Sequence, residues 1–287
     1  MTSISDLIQR IQSANDLIEN PHIPPHSSNL LHQLGKSDAT TKLHLYTEIV
    51  GAYLRFREAA SHLSEDLSTF VESLTDALNS YMDVLKDMNI SHQADFKSSV
   101  IPEMFFLLLY KIVKSTEEDF LVSSQTDIPI ECMFDVHGSS RMMFKTKKLD
   151  MLVYRNSTLS LDNSPVQFPI PLIAMEMKTN LDKNMMSGIE HSVASLKKTF
   201  PNSLYYVITE YSDMAVDKLN YASGGIDEIY ILRQQKRAKA RNDINCRNPI
   251  SRSLVLEISQ HCVEHMQLLT QSMPATDVRM LTGKLIH

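Results

Sequence analysis

The feature that most constrains this chain is a short apolar segment that ends in two opposite charges. Residues 172–179 read LIAMEMKT, so Glu176 and Lys178 follow four apolar residues. Such a run predicts a buried strand, and the side chains of a strand alternate between its two faces. Glu176 and Lys178 therefore share one face, whereas Met175 and Met177 point into the core. Because isolated buried charges are costly, this pair needs charged partners or a bound cation.

A second carboxylate lies upstream, at the head of another predicted strand. Residues 147–154 read KKLDMLVY, which places Asp150 just before an apolar run. The sequence between the two segments is rich in turn residues such as Pro165, and this pattern is typical of an antiparallel hairpin. That hairpin would bring Asp150 beside Glu176. Two carboxylates and a backbone carbonyl, here that of Met177, are hard oxygen ligands that suit Mg²⁺.

These groups fit the hydrolysis of a phosphodiester bond. The reaction needs a polarised phosphate, an activated water and a stabilised leaving oxygen, which bound metal ions supply. Lys178 would orient or deprotonate the water and stabilise charge on the phosphorus. The sequence therefore predicts a catalytic centre of Asp150, Glu176 and Lys178. The plain alternative is a salt-bridged strand end, and a second such pair, Asp95 and Lys97 on a predicted helix, is interpreted as a solvated surface pair.

The rest of the chain predicts a helical first part and a mixed second part. Helices are predicted at residues 4–18, at 40–88 as two helices broken near 61–64, and at 94–114, with a proline-rich linker at 21–28. Strands are predicted at residues 141–144, 149–154, 172–178, 204–209 and 228–232, and further helices at 182–198, 214–221 and 253–270. This order predicts an α/β (α+β) fold with a mixed sheet flanked by helices. We expect a helical N-terminal region at 1–92 and a catalytic domain at 93–287.

Composition narrows the setting in which the chain works. No apolar run approaches the roughly 18 residues that span a bilayer, so we expect a cytoplasmic protein without a membrane partner. The three cysteines are too scattered for a disulfide framework and are interpreted as free thiols. The net charge of -6 argues against coating nucleic acid through bulk charge, although it leaves room for a local basic groove.

Asp150 followed by Glu176-Met177-Lys178 resembles the PD-D/E-x-K motif of type II restriction endonucleases, with Leu149 in place of the usual proline. The longer run at residues 176–190 is similar to that of the BbvCI-type restriction enzymes. The resemblance implies a restriction-endonuclease-like fold and Mg²⁺-dependent cleavage of double-stranded DNA at a short specific sequence. It also implies assembly with a homologous second subunit, as a heterodimer or a homodimer, with each subunit cutting one strand.

The resemblance further implies that an acidic residue on the helix before the first strand completes the metal site. Glu103 is our candidate, and Glu131 is the alternative.

Basic side chains near these segments are predicted to contact DNA phosphates. The predicted contacts are Lys147, Lys148, Lys183, Arg233, Lys236, Arg237, Lys239 and Arg241. A charge run is equally typical of a solvated face, and lysines at a strand edge also prevent aggregation.

Two other functions remain open. The first is a structure-specific or repair nuclease of the same superfamily, whose cutting would not depend on one short duplex sequence. The second is a noncatalytic DNA-binding subunit in which the helical first half is an interaction module. Retention of all three catalytic positions argues against the second.

Overall fold

A mixed sheet stands between two layers of helices in the computed structural model, which describes residues 2–20, 22–63, 65–87, 94–116, 118–134, 142–161, 164–214, 224–242 and 246–270. Within these residues the strands are β1 (Leu121–Phe134), β2 (Met142–Leu161), β3 (Ser164–Leu181), β4 (Leu204–Ser212) and β5 (Glu228–Ile231). They lie in the order β1-β2-β3-β4-β5. The first three strands are antiparallel neighbours, and β3, β4 and β5 run parallel to one another.

The helices of the first part precede the sheet, and three more follow its strands. They are α1 (Ile4–Asp16), α2 (Pro25–Leu34), α3 (Leu43–Ala59), α4 (Leu67–Asp87), α5 (Ala94–Ser98), α6 (Val100–Lys114), α7 (Lys183–Thr199), α8 (Arg237–Asn242) and α9 (Arg252–Thr270), with a 3-10 turn at Thr40–Lys42. Helix α7 begins directly after β3, where the side chain of Asp182 accepts a hydrogen bond of 2.9 Å from the Met185 amide. This cap ends the strand a few residues beyond Lys178.

Two hydrophobic cores lie on opposite faces of the sheet. On one face, a continuous core extends from Leu7 in α1 to Met266 in α9 and includes Met175 and Met177 of β3. On the other face, α7 packs over residues such as Tyr205 of β4. The helical first part therefore shares its core with the sheet. In the described part of the chain, no helix has both the length and the apolar character that a membrane span requires.

The predicted fold class and most predicted elements are confirmed. The two helices within residues 40–88 are α3 and α4, and the buried helix within 94–114 is divided into α5 and α6. The antiparallel hairpin that joins the Asp150 strand to the Glu176 strand is also present.

The structure differs from the predicted secondary structure in three places. The predicted linker at 21–28 is wrong in its second half, because α2 begins at Pro25, and proline is well suited to the first position of a helix. Strand β1 was not predicted at all, and β2 is one strand rather than two. Of the helix predicted at 214–221, all but Met214 lies outside the described residues.

Candidate active site

Strands β2 and β3 separate where the predicted carboxylates stand. Their backbone pairing runs from Leu161 and Ser164 to Met151 and Met175, and within the described residues it extends no further. Asp150 and Glu176 are the next residues on the two strands. On its other edge β3 stays paired with β4 as far as Leu181. The opening is therefore confined to the β2 side, and both carboxylates lie at its mouth.

Asp150 occupies the place of a strand partner in this opening. Its Oδ2 accepts a hydrogen bond of 2.8 Å from the Met177 amide, which faces the gap and would otherwise lack an acceptor. The same oxygen lies 3.2 Å from Lys178 Nζ. Its Oδ1 accepts a hydrogen bond of 2.8 Å from the side chain of Gln125, whose backbone has a positive φ of 54°. Left-handed backbone at a non-glycine residue costs energy, and such residues cluster at functional sites.

Glu176 is held between two lysines and a tyrosine. Its Oε1 lies 2.8 Å from Lys178 Nζ, and its Oε2 lies 3.4 Å from Lys147 Nζ of β2. The hydroxyl of Tyr205, on β4, donates to Oε2 at 3.2 Å. Glu176 is only 7% exposed, so these three partners offset the cost of burying its charge.

The charge state of the site follows from these contacts. Burial lowers the pKa of Lys178, but the Asp150 and Glu176 carboxylates outweigh burial, so the pKa lies above its ordinary value. Burial, reinforced by Glu176, also raises the pKa of Tyr205. Lys178 is therefore a cation and Tyr205 a neutral donor at physiological pH. A charged lysine beside two carboxylates is suited to stabilising negative charge on a bound group.

The opening leads into a cleft of about 740 Å³. Asp150 and Lys178 line it from the sheet. Further lining residues come from the helices that precede the sheet, among them Ser28 on α2 and Lys97 on α5, and Arg237 lines it from α8. The site is thus reached through a concave surface that is shared by the sheet and the helical region.

The donors at the opening fit a hard divalent cation. Carboxylate oxygens of Asp150 and Glu176 and the carbonyl of Met177 could hold it, because magnesium-type ions prefer oxygen ligands. Lys178 Nζ contacts both carboxylates, which shows that a positive charge is stabilised between them. In the described part of the chain, no cluster of three or more acidic, histidine or cysteine side chains forms a complete cage.

The assignment of Glu103 to the metal site is corrected. This side chain is fully buried in the helical region, where its two oxygens accept hydrogen bonds of 2.6 Å from the Tyr53 hydroxyl and 2.7 Å from the Ser27 amide. Its carboxylate also pairs with Arg57 at 3.6 Å. Ser27 lies in the first turn of α2, so Glu103 acts as an N-terminal acceptor for that helix.

The alternative, Glu131, is also placed away from the opening. It lies near the far end of β1 and pairs with Lys145 at 3.2 Å, and the register sets it five positions along β2 from Asp150. At about 3.3 Å per residue, this separation is too large for a shared ion.

The predicted DNA contact at Arg233 is wrong. The side chain is buried, its Nε donates to Glu210 at 2.6 Å, and its guanidinium also hydrogen-bonds the Asn248 carbonyl. Because its side chain is buried and bonded within the protein, Arg233 has a structural role. The other predicted contacts stay accessible: Lys148, Lys183, Lys236, Lys239 and Arg241 are exposed, Arg237 lines the cleft, and Lys147 contacts Glu176.

Two side chains that support the carboxylates are not predicted by the sequence pattern. Gln125 lies in β1, whose polar SSQT stretch gives no clear strand signal. Tyr205 is one of two adjacent tyrosines in a predicted strand, and only the register with β3 shows which of them faces Glu176.

The sheet with its flanking helices has the restriction-endonuclease-like architecture, as expected. Residues 93–271 match the family model described as Bpu10I restriction endonuclease, and the chain belongs to that family of DNA endonucleases. The resemblance to type II restriction endonucleases is thus confirmed. A solved structure titled "native BbvCI A2B2 tetramer at low resolution" shares the fold with a TM-score of 0.70 and 24% sequence identity, over 87% of this chain and 97% of that chain. No curated protein matches the sequence.

Proposed function

We propose that this chain is a catalytic subunit of a type II restriction endonuclease that uses Mg²⁺ to hydrolyse one phosphodiester bond of double-stranded DNA at a short specific sequence. The observation that carries the proposal is the meeting of Asp150, Glu176 and Lys178 at the opening between β2 and β3. In a chain that belongs to a restriction endonuclease family, this is the arrangement that phosphodiester hydrolysis needs.

Each residue has a distinct role in the proposed site. Asp150 and Glu176, with the Met177 carbonyl, would hold the metal. Mg²⁺ held there would polarise the phosphate and lower the pKa of a coordinated water. Lys178 stabilises the negative charge that develops on the phosphate oxygens. Lys147 and the hydroxyl of Tyr205 both contact Glu176 Oε2 and would orient this carboxylate.

Basic side chains around the cleft are proposed to bind the DNA backbone. Arg237 lines the cleft directly, and the exposed side chains of Lys148, Lys183, Lys236, Lys239 and Arg241 are the further candidates. Each neutralised phosphate releases counterions, so binding would weaken steeply with salt.

We also propose that the chain works with a homologous second subunit, each cutting one strand. The matched solved structure is titled a tetramer of two kinds of subunit, which supports a heteromeric assembly here. The nuclease domain is proposed to span residues 93–287, and the family match begins at the same residue. The helical N-terminal region is proposed to span residues 1–92; its helices α1 to α4 share the same core and are proposed to buttress it.

The test incubates the purified full-length chain, alone and with its co-expressed homologue, with supercoiled plasmid and Mg²⁺. Wild type should give discrete nicks or cuts, and Glu176→Gln should abolish them because the charged ligand is lost. Glu131→Gln is the matched control, since it removes a carboxylate from the same sheet outside the site. Absence of cleavage by wild type with the homologue present would overturn the catalytic proposal and favour a DNA-binding subunit.

The sequence dependence of the cuts separates the two nuclease functions. Ends that map to one short sequence support a restriction enzyme. Cuts that follow single-stranded or branched structure instead would favour the structure-specific nuclease.

A further inference from the structure

Lys97 lines the same cleft as two of the candidate catalytic residues. It lies on α5, before the sheet begins, and lines the cleft together with Asp150 and Lys178. The sequence pattern around it, Asp95-Phe96-Lys97, suggested only a solvated surface pair. Its position in the fold gives this lysine a different role.

Two cations of the cleft have no carboxylate partner among the side chains that the structure describes. Lys178 is balanced by Asp150 and Glu176, and the carboxylate of Glu210 is taken by Arg233. Lys97 and Arg237 are the lining cations for which no ion pair is found with any carboxylate whose side chain the structure describes, a set that does not include Asp95. Two such cations in one concave surface contribute positive potential that favours an anion.

The surroundings of Lys97 add to this potential. Burial lowers the pKa of Lys97, and the positive charge of Arg247 lowers it further. The N-terminal end of α6, at Ser99, lines the cleft as well, and a helix N-terminus carries partial positive charge. Like charges held together in this way repel one another, so an anion bound between them is stabilised.

Buried anchors fix the position of this lysine. The neighbouring Phe96 is 2% exposed and packs on the ring of His26 at a centroid distance of 4.7 Å. His26 Nδ1 lies 3.1 Å from the Phe96 carbonyl and 2.9 Å from the Ser99 hydroxyl, and its Nε2 lies 2.7 Å from the Tyr81 hydroxyl. Because these contacts hold the centre of α5 and the start of α6 against α2, Lys97 is presented at a defined place.

We propose that Lys97 binds a backbone phosphate of duplex DNA, so that the helices before the sheet form one wall of the DNA cleft. This inference rests on the proposed function and extends it, because it assigns a DNA contact that lies outside the predicted basic residues. Lys97 is a binding residue in this account and takes no part in the chemical step.

The test measures binding of the full-length chain to a fluorescent duplex of random sequence by anisotropy, without divalent metal, across a salt series. The variants are Lys97→Gln and Lys97→Arg, and the control is Lys36→Gln, a lysine of the helical region outside the cleft. Loss of one phosphate contact should reduce the slope of log affinity against log salt by about 0.9. Affinity at low salt should fall by roughly three- to tenfold. Lys97→Arg should restore both values, and Lys36→Gln should match wild type.

Several results would overturn the inference. Equal slopes for Lys97→Gln and Lys36→Gln, in protein of unchanged melting temperature, would remove Lys97 from the interface. If such a variant also cleaves plasmid with Mg²⁺ like wild type, the proposed function survives and only this inference fails. A wild-type chain that neither binds duplex DNA nor cuts plasmid, alone or with its homologue, would overturn both.

Discussion

Replacement of Glu103 tests whether this carboxylate stabilises the helical region or binds the metal. The carboxylate is fully buried and satisfies the Ser27 amide, the Tyr53 hydroxyl and the Arg57 guanidinium. Glu103→Ala would leave Arg57, itself 6% exposed, as a buried charge without its partner. Breaking such a pair costs about 3 to 5 kcal/mol, and loss of the α2 acceptor adds about 1 kcal/mol. The sum approaches the roughly 5 to 15 kcal/mol that stabilise a typical domain.

The milder Glu103→Gln is therefore the working variant. It keeps one oxygen acceptor but removes the charge, so we expect the free energy of unfolding to fall by about 2 to 3 kcal/mol in urea denaturation. Arg57→Met, alone and combined with Glu103→Gln, completes a double-mutant cycle. Because the double variant contains no unpaired buried charge, its loss should be smaller than the sum of the single losses by at least about 1 kcal/mol.

The Mg²⁺ dependence of cleavage distinguishes a structural role of Glu103 from a role in metal binding. If Glu103 stabilises α2, the variant that remains folded should need the same Mg²⁺ concentration as wild type. Stability within about 0.5 kcal/mol of wild type, combined with a raised Mg²⁺ requirement, would refute the structural role.

Three further predictions concern protonation, catalysis and packing. Burial lowers the pKa of His26 to about 3 from an ordinary 6.5, so only the unfolded chain takes up this proton as pH falls below the ordinary value. Between pH 7 and pH 5 the free energy of unfolding of wild type should therefore drop by about 2 kcal/mol more than that of His26→Gln. Parallel pH profiles of the two proteins would contradict this. Lys178→Ala should slow cleavage about a hundredfold or more while leaving duplex binding without metal nearly unchanged, and a proportional loss of binding would assign it to DNA affinity instead. Arg233→Ala breaks a buried ion pair, so it should destabilise the fold by about 3 kcal/mol without altering the salt dependence of DNA binding. Lys239→Ala should leave the stability unchanged and reduce the salt dependence of DNA binding.

The catalytic strand could be predicted because its signal is local. Glu176 and Lys178 end an apolar run, and alternation alone sets them on one face. The hairpin with the Asp150 strand follows from turn residues between two such runs. Alternation does not reveal that β2 separates from β3. This separation lets Asp150 accept a hydrogen bond from the Met177 amide.

The errors arise from contacts that are distant in sequence. Glu103 was assigned by its place on a helix before the sheet, yet its partners Ser27 and Tyr53 are 76 and 50 positions away. Arg233 belongs to a basic run in the sequence. Its buried partner Glu210 comes from strand β4, which the local sequence does not reveal. Helix α2 was hidden by prolines, although Pro25 stands at its first position, where a proline costs nothing.

The most direct test of the central claim is the position of a metal in crystals of the full-length chain soaked with Mn²⁺, read from anomalous difference density. We expect a peak at the opening between β2 and β3, within about 2.0 to 2.2 Å of oxygens from Asp150 and Glu176. A peak held by other carboxylates, with both of these side chains still bound only to Lys178 and their protein donors, would contradict it.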